Sequence, residues 1–339
     1  MFVVESYAVA VLMCIITMLC WGSWANTQKL ASKEWKFQLF YWDYSIGVLL
    51  LTLILAFTMG SIGQQGRPFL ADLGQASAAA IWMAILGGII FNFANILLVV
   101  AIDIAGMSVA FPVGIGLALA LGVIDNYRKA PDTYQAAILF AGVACVALAI
   151  IVNALAYRKL SSDKKATALG VIISILCGIS MGFFYGRVAG AMVTDFVNPE
   201  AGKLTPYTAL VFFSVGLLLS NFVFNTIAMK WTVSGEKVAG GDYFTKGNPR
   251  LHLVGILGGI IWSIGMSFSI IAGGKAGYAI SYGLGQGATL VAAFWGVFIW
   301  KEFKGAPKGT SKFLTLMFIF YIVGLALIIA GNKAAFAGA

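Results

Sequence analysis

Long apolar segments separated by short polar connections dominate the chain. A helix needs about 20 apolar residues to cross the hydrocarbon core of a bilayer. Ten segments reach that length, so the pattern predicts an all-α integral membrane fold of about ten transmembrane helices. The predicted spans are 7–28, 37–60, 77–101, 104–125, 134–157, 166–190, 206–229, 251–273, 276–300 and 313–332.

Composition excludes an ordinary soluble protein. Hydrophobic residues make up 60% of the chain and charged residues 10%, with a mean hydropathy of +0.93. Soluble domains average about 45–50% apolar and about 25% charged residues. The net charge of +9 resides in the connections between apolar segments. It therefore indicates topology signals and lipid headgroup contacts, and we expect no nucleic-acid partner.

The distribution of Lys and Arg predicts the orientation. Connections after the odd-numbered spans carry 15 of the 22 Lys and Arg residues, and the other side carries 7. Cytoplasmic connections are the richer in these residues. We therefore expect a multi-pass protein of the cell (inner or plasma) membrane with both termini outside the cytoplasm.

Two stretches of the chain resemble each other without gaps. Residues 87–116 and 258–287 share nine identities at a separation of 171 positions. This match predicts two five-helix repeats, 1–157 and 166–339, joined by a basic linker at 158–165. Five helices is an odd number, so the second repeat enters the membrane inverted.

Inverted repeats are a recurring transporter architecture, in which the solute binds between the halves. Pro112 aligns with Gly283, and Phe111 precedes the proline. Proline removes a backbone donor and kinks a helix, which frees carbonyl groups for a solute. These segments are candidates for the solute site, with a packing kink as the alternative.

Polar residues at membrane depth usually face a cavity or a neighbouring helix. Amides donate and accept hydrogen bonds, so they suit a neutral polar solute. Interhelical bonding is an equally open explanation. The candidates are Asn92, Asn95, Asn221, Asn225 and Gln286.

Aromatic rings at the same depth provide flat surfaces that stack on sugars or heterocycles. Most aromatics in such a chain serve packing or interfacial anchoring instead. Trp21, Trp24 and Tyr282 lie in polar or glycine-rich segments, and Tyr185 and Trp262 complete the group. We include Trp21, Trp24, Tyr185 and Tyr282 in the candidate solute site.

Asp43 lies about two turns into the second span. A buried carboxyl that titrates near neutral pH can carry a coupling proton. The alternative is an interfacial ion pair with Lys36 or Lys29. His252, at a loop edge, is expected to be an interfacial polar residue.

No cofactor is expected. A phosphate-cradling Gly-Lys-Ser/Thr motif is absent from the sequence, which argues against direct ATP drive, and no nucleophile-and-base constellation indicates an enzyme. The four cysteines lie inside apolar segments without a CxxC pair, so no metal site is expected.

Several segments together resemble the ureide permease family within the drug/metabolite transporter superfamily. The plant relatives have a long central loop with a Walker-like motif, which this chain lacks, and Trp-Pro where this chain has Trp24-Ala25. The matching segments are 2–6, 43–45, 56–63, 276–279 and 294–298, with Glu302 beyond.

The resemblance implies a proton-coupled importer of allantoin and other oxo-derivatives of heterocycles. Bacterial glucose/ribose uptake proteins share the Trp21-Gly22-Ser23 pattern and the aromatic-Pro-x-x-x-Gly style of the fourth span. A sugar is therefore a close rival. We expect a secondary transporter, as a monomer or homodimer, with a small neutral solute and protons as its partners. An exporter of amphipathic compounds is the alternative.

Overall fold

A computed structural model of the chain describes residues 1–31, 34–160, 167–230 and 237–335. Across these ranges every regular element is a helix, which confirms the predicted fold class. Helices pair their own backbone groups, as a lipid environment without water requires. The helices of four or more residues are α1 (Tyr7–Ser23), α2 (Ala25–Ala31), α3 (Phe37–Phe57), α4 (Phe69–Gln75), α5 (Ala78–Ala105), α6 (Met107–Ala110), α7 (Gly116–Lys129), α8 (Ala136–Leu160), α9 (Ala168–Ala191), α10 (Pro206–Lys230), α11 (Asp242–Thr245), α12 (Pro249–Ala276), α13 (Tyr278–Gly285), α14 (Ala288–Phe294) and α15 (Thr310–Ala330), and π-helical turns occupy Phe111–Ile115 and Trp295–Ile299.

In the described part of the chain, nine helical segments are long and apolar enough to cross a membrane, one fewer than predicted. The missing one is the fourth predicted span, 104–125, which is not a continuous helix. It consists of α6, the π-helical turn Phe111–Ile115 and α7. Pro112 lies in that turn. Proline has no N–H to donate to the helical hydrogen bonds, and this explains why the α-helix is interrupted there.

The bundle has two ends with different connections. One end, called here the basic end, carries residues 34–36, 237–248 and 300–309; Lys29 of α2 pairs there with Glu302 at 2.6 Å. The other end, called the opposite end, carries residues 58–77, 130–135 and 192–205. The Arg67 guanidinium donates there to the buried carboxylate of Asp72 at 2.7 Å.

Helices α5 and α12 match each other in detail. Both are 28 residues long, and both bounds of α12 lie 171 positions after those of α5. Ser77 caps α5 by accepting from the Ala80 N–H, and Asn248 caps α12 by accepting from the Leu251 N–H. Each helix ends at a glycine, Gly106 or Gly277, with φ of 74° and 80°. Glycine adopts these angles without the strain that a Cβ would cause.

The same two helices cross their partners through glycines. A Cβ at Gly88 of α5 would overlap the Phe213 carbonyl oxygen of α10, and a Cβ at Gly259 of α12 would overlap the Tyr44 carbonyl oxygen of α3. Helices in lipid associate by such close backbone approach. We call these two contacts the α5–α10 crossing and the α3–α12 crossing. The bundle is thus built on two crossings of the same local design.

The predicted linker 158–165 is described only as far as Leu160, where α8 ends. Residues 161–165 of that linker lie outside the described residues. The division into repeats therefore stays a prediction, supported by the matched helices.

Candidate functional site

A cavity of about 640 Å³ lies among α1, α2, α5, α9, α12 and the interrupted segments around Phe111 and Gln286. Both predicted halves contribute lining residues. Exposed residues, Ala25, Lys36 and Asp103, stand at one side of this cavity. The cavity therefore opens at the basic end.

Aromatic rings form the inner wall of the cavity. The Trp21 and Trp262 rings stack with centroids 5.9 Å apart and planes inclined by 11°. Trp262 lies 4.4 Å from Phe91, which in turn lies 5.1 Å from Phe184. The Trp21 indole N–H donates to the Trp262 carbonyl at 3.2 Å, which fixes the pair. Such a wall offers a flat surface for stacking.

Neutral polar groups lie beside this wall, whereas the charged residues Lys36 and Asp103 lie at the exposed side of the cavity. The Asn95 amide donates to the Tyr41 hydroxyl at 3.1 Å, which holds the amide in place on α5. Gln286 lies in the break between α13 and α14. Its backbone carbonyl accepts from the Thr289 hydroxyl at 2.9 Å. Gln38 lines the cavity nearer its mouth. Amides and hydroxyls here suit a solute that both donates and accepts hydrogen bonds.

Five of the predicted site residues meet at this cavity: Trp21, Trp24, Asn95, Phe111 and Gln286. They come from four separate parts of the chain: the α1–α2 segment, α5, the π-helical turn Phe111–Ile115 and the α13–α14 break. The structure brings these parts together around one cavity. Their role in solute binding stays a prediction.

Three predicted amides lie between helices instead. The Asn92 side chain donates to the Ser220 hydroxyl at 2.8 Å, Asn221 donates to the Ser45 hydroxyl at 3.1 Å, and Asn225 donates to the Gln38 carbonyl at 2.8 Å. All three are fully buried. In this state of the molecule they tie α5 and α3 to α10, as interhelical bonding predicts.

Three further predicted residues close the bundle beyond the cavity. The Tyr185 hydroxyl bonds the Ser269 hydroxyl at 2.9 Å and also the Ser281 hydroxyl. The Tyr282 hydroxyl donates to the Met181 carbonyl at 3.0 Å, and Pro112 lies in the π-helical turn behind Phe111. These residues are not in the cavity lining.

Asp43 forms a separate cluster near the basic end. Its buried carboxylate accepts from the Trp35 indole at 3.2 Å and from the Tyr243 hydroxyl, and it lies 2.9 Å from His252 Nδ1. The side chain of Asp43 is 2% exposed. We call these four residues the Asp43 cluster. It joins α3, α11 and α12.

One alternative for Asp43 is corrected: Lys29 does not pair with it, because the Lys29 ammonium pairs with Glu302 at 2.6 Å. His252 lies near the basic end with a side chain 27% exposed, and its Nδ1 also contacts the buried Asp43 carboxylate. Gly255 packs directly on Asp43. His252 lies one turn before Gly255 at the start of α12, and so it also reaches Asp43.

Several residues of the cavity lining were not predicted from the sequence. Gln28, Gln38 and Thr289 line the cavity, but near helix ends such residues are ordinary in sequence. Phe91 carried no distinguishing signal among many phenylalanines. Within the described ranges, no group of three or more His, Cys, Asp or Glu side chains is arranged to hold a metal ion.

A bundle of membrane-crossing helices around a mainly apolar cavity with a few convergent polar groups is the architecture of a multi-pass transporter of small solutes. The chain belongs to the ureide permease family, whose model matches residues 40–168 and 155–331. Members of this family are transporters and not enzymes.

Two relatives illustrate the range of similarity. Ureide permease 2 of Arabidopsis thaliana is 24% identical over 98% of this chain and 99% of its own length. The probable glucose uptake protein GlcU of Staphylococcus aureus (strain MRSA252) is 23% identical over 74% of this chain and 78% of its own length. A solved crystal structure shares the fold with a TM-score of 0.55, at 15% identity over 95% of this chain and 96% of that one.

Proposed function

We propose that this protein imports a small neutral polar solute by proton-coupled alternating access. The observation that supports this most is the composition of the cavity. Its inner wall is aromatic, and Asn95, Gln286 and Thr289 supply neutral donors and acceptors beside it. A charged solute would need a buried counter-charge there, because an unpaired charge at low dielectric is costly.

Two solute classes remain open within this proposal. The relatives named as ureide permeases favour a ureide or nucleobase, a planar ring that stacks on Trp21 and Trp262. The relative named as a probable glucose uptake protein favours a sugar, whose hydroxyls pair with amides. Both classes fit the lining chemistry.

The matched helices support alternating access. We infer that α1–α8 and α9–α15 are inverted repeats, with boundaries at 1–157 and 166–339, and that they rock about the α3–α12 and α5–α10 crossings. The cavity opens at the basic end, which the Lys and Arg distribution assigns to the cytoplasm. On this assignment the structure represents an inward-open state in the cell membrane, with both termini outside.

Proton coupling is assigned to Asp43. A carboxyl can bind one proton per cycle, and its three partners come from segments that meet only near the basic end. Protonation would remove its charge and weaken its bonds to Tyr243 and His252. The coupling proton would therefore act on the contact between α3 and α12.

An uptake panel in proteoliposomes tests the proposal. Reconstituted protein should accumulate at least one of allantoin, uracil, xanthine, glucose or ribose when the outside is acidified, and collapsing the gradient should abolish accumulation. Absence of uptake for every compound would contradict the importer. Extrusion of amphipathic dyes in the same vesicles would favour the exporter alternative.

A further inference from the structure

A second cavity lies on the outer surface of the bundle near the basic end. It has a volume of about 380 Å³ and runs between α3, α10 and the segment 238–244. Its walls are mainly apolar, with Trp42 and Ile46 from α3 and Phe222 and Met229 from α10. We call it the lateral groove. It is separate from the solute cavity, with which it shares no lining residue.

The lateral groove faces lipid. On α10 the neighbouring residues Leu219, Phe222 and Val223 are 60%, 63% and 55% exposed. A membrane-crossing helix exposes apolar side chains of this kind to acyl chains, not to water. The Trp42 and Phe222 rings contact each other with centroids 4.9 Å apart, which joins the α3 and α10 walls of the groove.

Positive charge marks one end of the groove. Lys230 ends α10 and lines the groove, and the basic end as a whole carries the larger share of Lys and Arg. Basic residues at the membrane surface attract anionic headgroups. Phe244 lines the groove and is 83% exposed, which fits a ring in contact with lipid.

We propose that the lateral groove binds one anionic phospholipid, with an acyl chain between α3 and α10 and the headgroup at Lys230. The shape supplies a channel for the chain, and the charge supplies selectivity for the headgroup. Phospholipids without net charge lack the attraction between an anionic headgroup and Lys230, and so they bind more weakly.

The groove also contacts the Asp43 cluster. Tyr243 lines the groove and donates its hydroxyl to the Asp43 carboxylate. Burial, together with the Asp43 carboxylate, raises the pKa of Tyr243 above its ordinary value, so the hydroxyl keeps its proton. A bound chain covers the segment that carries Tyr243, and so it stabilises that donor on Asp43.

Native mass spectrometry of the full chain, with added phosphatidylglycerol or phosphatidylcholine, tests the site. Wild type should retain one phosphatidylglycerol preferentially. K230Q should weaken phosphatidylglycerol binding about 5-fold, which corresponds to the ~1 kcal/mol of one Lys at an anionic surface, and should leave phosphatidylcholine unchanged. F222A should weaken both lipids.

Matched controls lie outside the groove on the same helix and the same end. L219A removes a similarly exposed side chain from α10, and K312Q removes a Lys from the basic end; neither should alter binding. Unchanged binding in K230Q and F222A would overturn the proposal, as would equal losses in the controls. A dimer that F222A dissociates, with no retained lipid, would show that a second copy covers the groove and would overturn it as well.

Discussion

The α5–α10 and α3–α12 crossings have glycines at equivalent positions but differ in the residues at one end. In the α3–α12 crossing, Asp43 and His252 meet near the basic end. The crossing glycines, and the backbone atoms they contact, recur at fixed separations along the chain. Those of α10 lie 169 positions after those of α3, and those of α12 lie 171 positions after those of α5. By these separations, Phe212 corresponds to Asp43 and Ile81 corresponds to His252. Both of these α5–α10 residues pack against the core.

The difference separates the helix packing that both crossings share from the coupling role proposed for Asp43. Glycine contacts recur because each crossing packs a helix of one predicted half closely against a helix of the other. A carboxylate–imidazole pair occurs in one crossing only, and burying it is costly unless every bond is made. The pair is therefore the place to test the coupling role proposed for Asp43. The four predictions below test this comparison, from the largest expected effect to the smallest.

Substituting the crossing glycines should abolish folding in both halves. G88L and G259L each force a side chain into the backbone of the facing helix, where no rotamer change gives relief. Overpacking commonly costs about 1–3 kcal/mol, and a backbone clash costs more. Size-exclusion profiles and the yield of membrane-inserted protein measure the loss.

Gly116 provides the control, because a Cβ there meets nothing within 4 Å. G116A should give wild-type yield. If G88L folds normally while G259L does not, the two crossings are not equivalent and the repeat proposal fails.

Asp43→Asn should uncouple transport from the proton gradient. The amide keeps the shape of the carboxyl but takes up no proton, so accumulation should fall to the level without a gradient while solute exchange continues. Counterflow and gradient-driven uptake in proteoliposomes separate the two activities. Asp242→Asn is the control, since Asp242 pairs with Lys246 on the nearby surface. A wild-type pH dependence in Asp43→Asn would remove Asp43 from coupling.

Two amides one turn apart on α5 should behave differently. Asn95→Ala removes a cavity group and should raise the KM for the solute about 5–10-fold, the value of one hydrogen bond. Asn92→Ala removes the donor to the buried Ser220 hydroxyl, which keeps only its own bond to the Leu217 carbonyl, and should lower the melting temperature with little change in KM. Uptake kinetics and thermal unfolding in detergent distinguish them; equal effects on KM would place both at the solute.

Tyr185→Phe should loosen the closed opposite end. The variant loses the hydroxyl that bonds Ser269 and Ser281, so opening should become about 5-fold more frequent. Hydrogen–deuterium exchange of peptides from α9 and α13 reports this change. Tyr207→Phe, which removes a bond to the Phe2 carbonyl elsewhere at that end, is the control. Equal acceleration in both variants would argue against a specific gate at Tyr185.

The sequence predicted the fold better than the site. Apolar length located the nine long membrane-crossing helices of the described residues, because lipid permits few alternatives to a helix. It also predicted 104–125 as one span, which the structure divides into α6, a π-helical turn and α7. Asn92 and Asn95 looked identical in sequence, yet one binds Ser220 and the other lines the cavity. Helical periodicity places both on one side of α5, and only the neighbouring helices determine which of them meets empty space.

The sequence by itself determined the membrane class, the approximate spans and the matched segments 171 positions apart, since these depend on local composition and spacing. Tertiary structure decided which polar groups converge. Asp43 and His252 lie 209 positions apart, and Trp21 meets Trp262 across 241. Only the packing of α3 and α1 on α12 creates those contacts, and no local pattern in the chain encodes the distance between them.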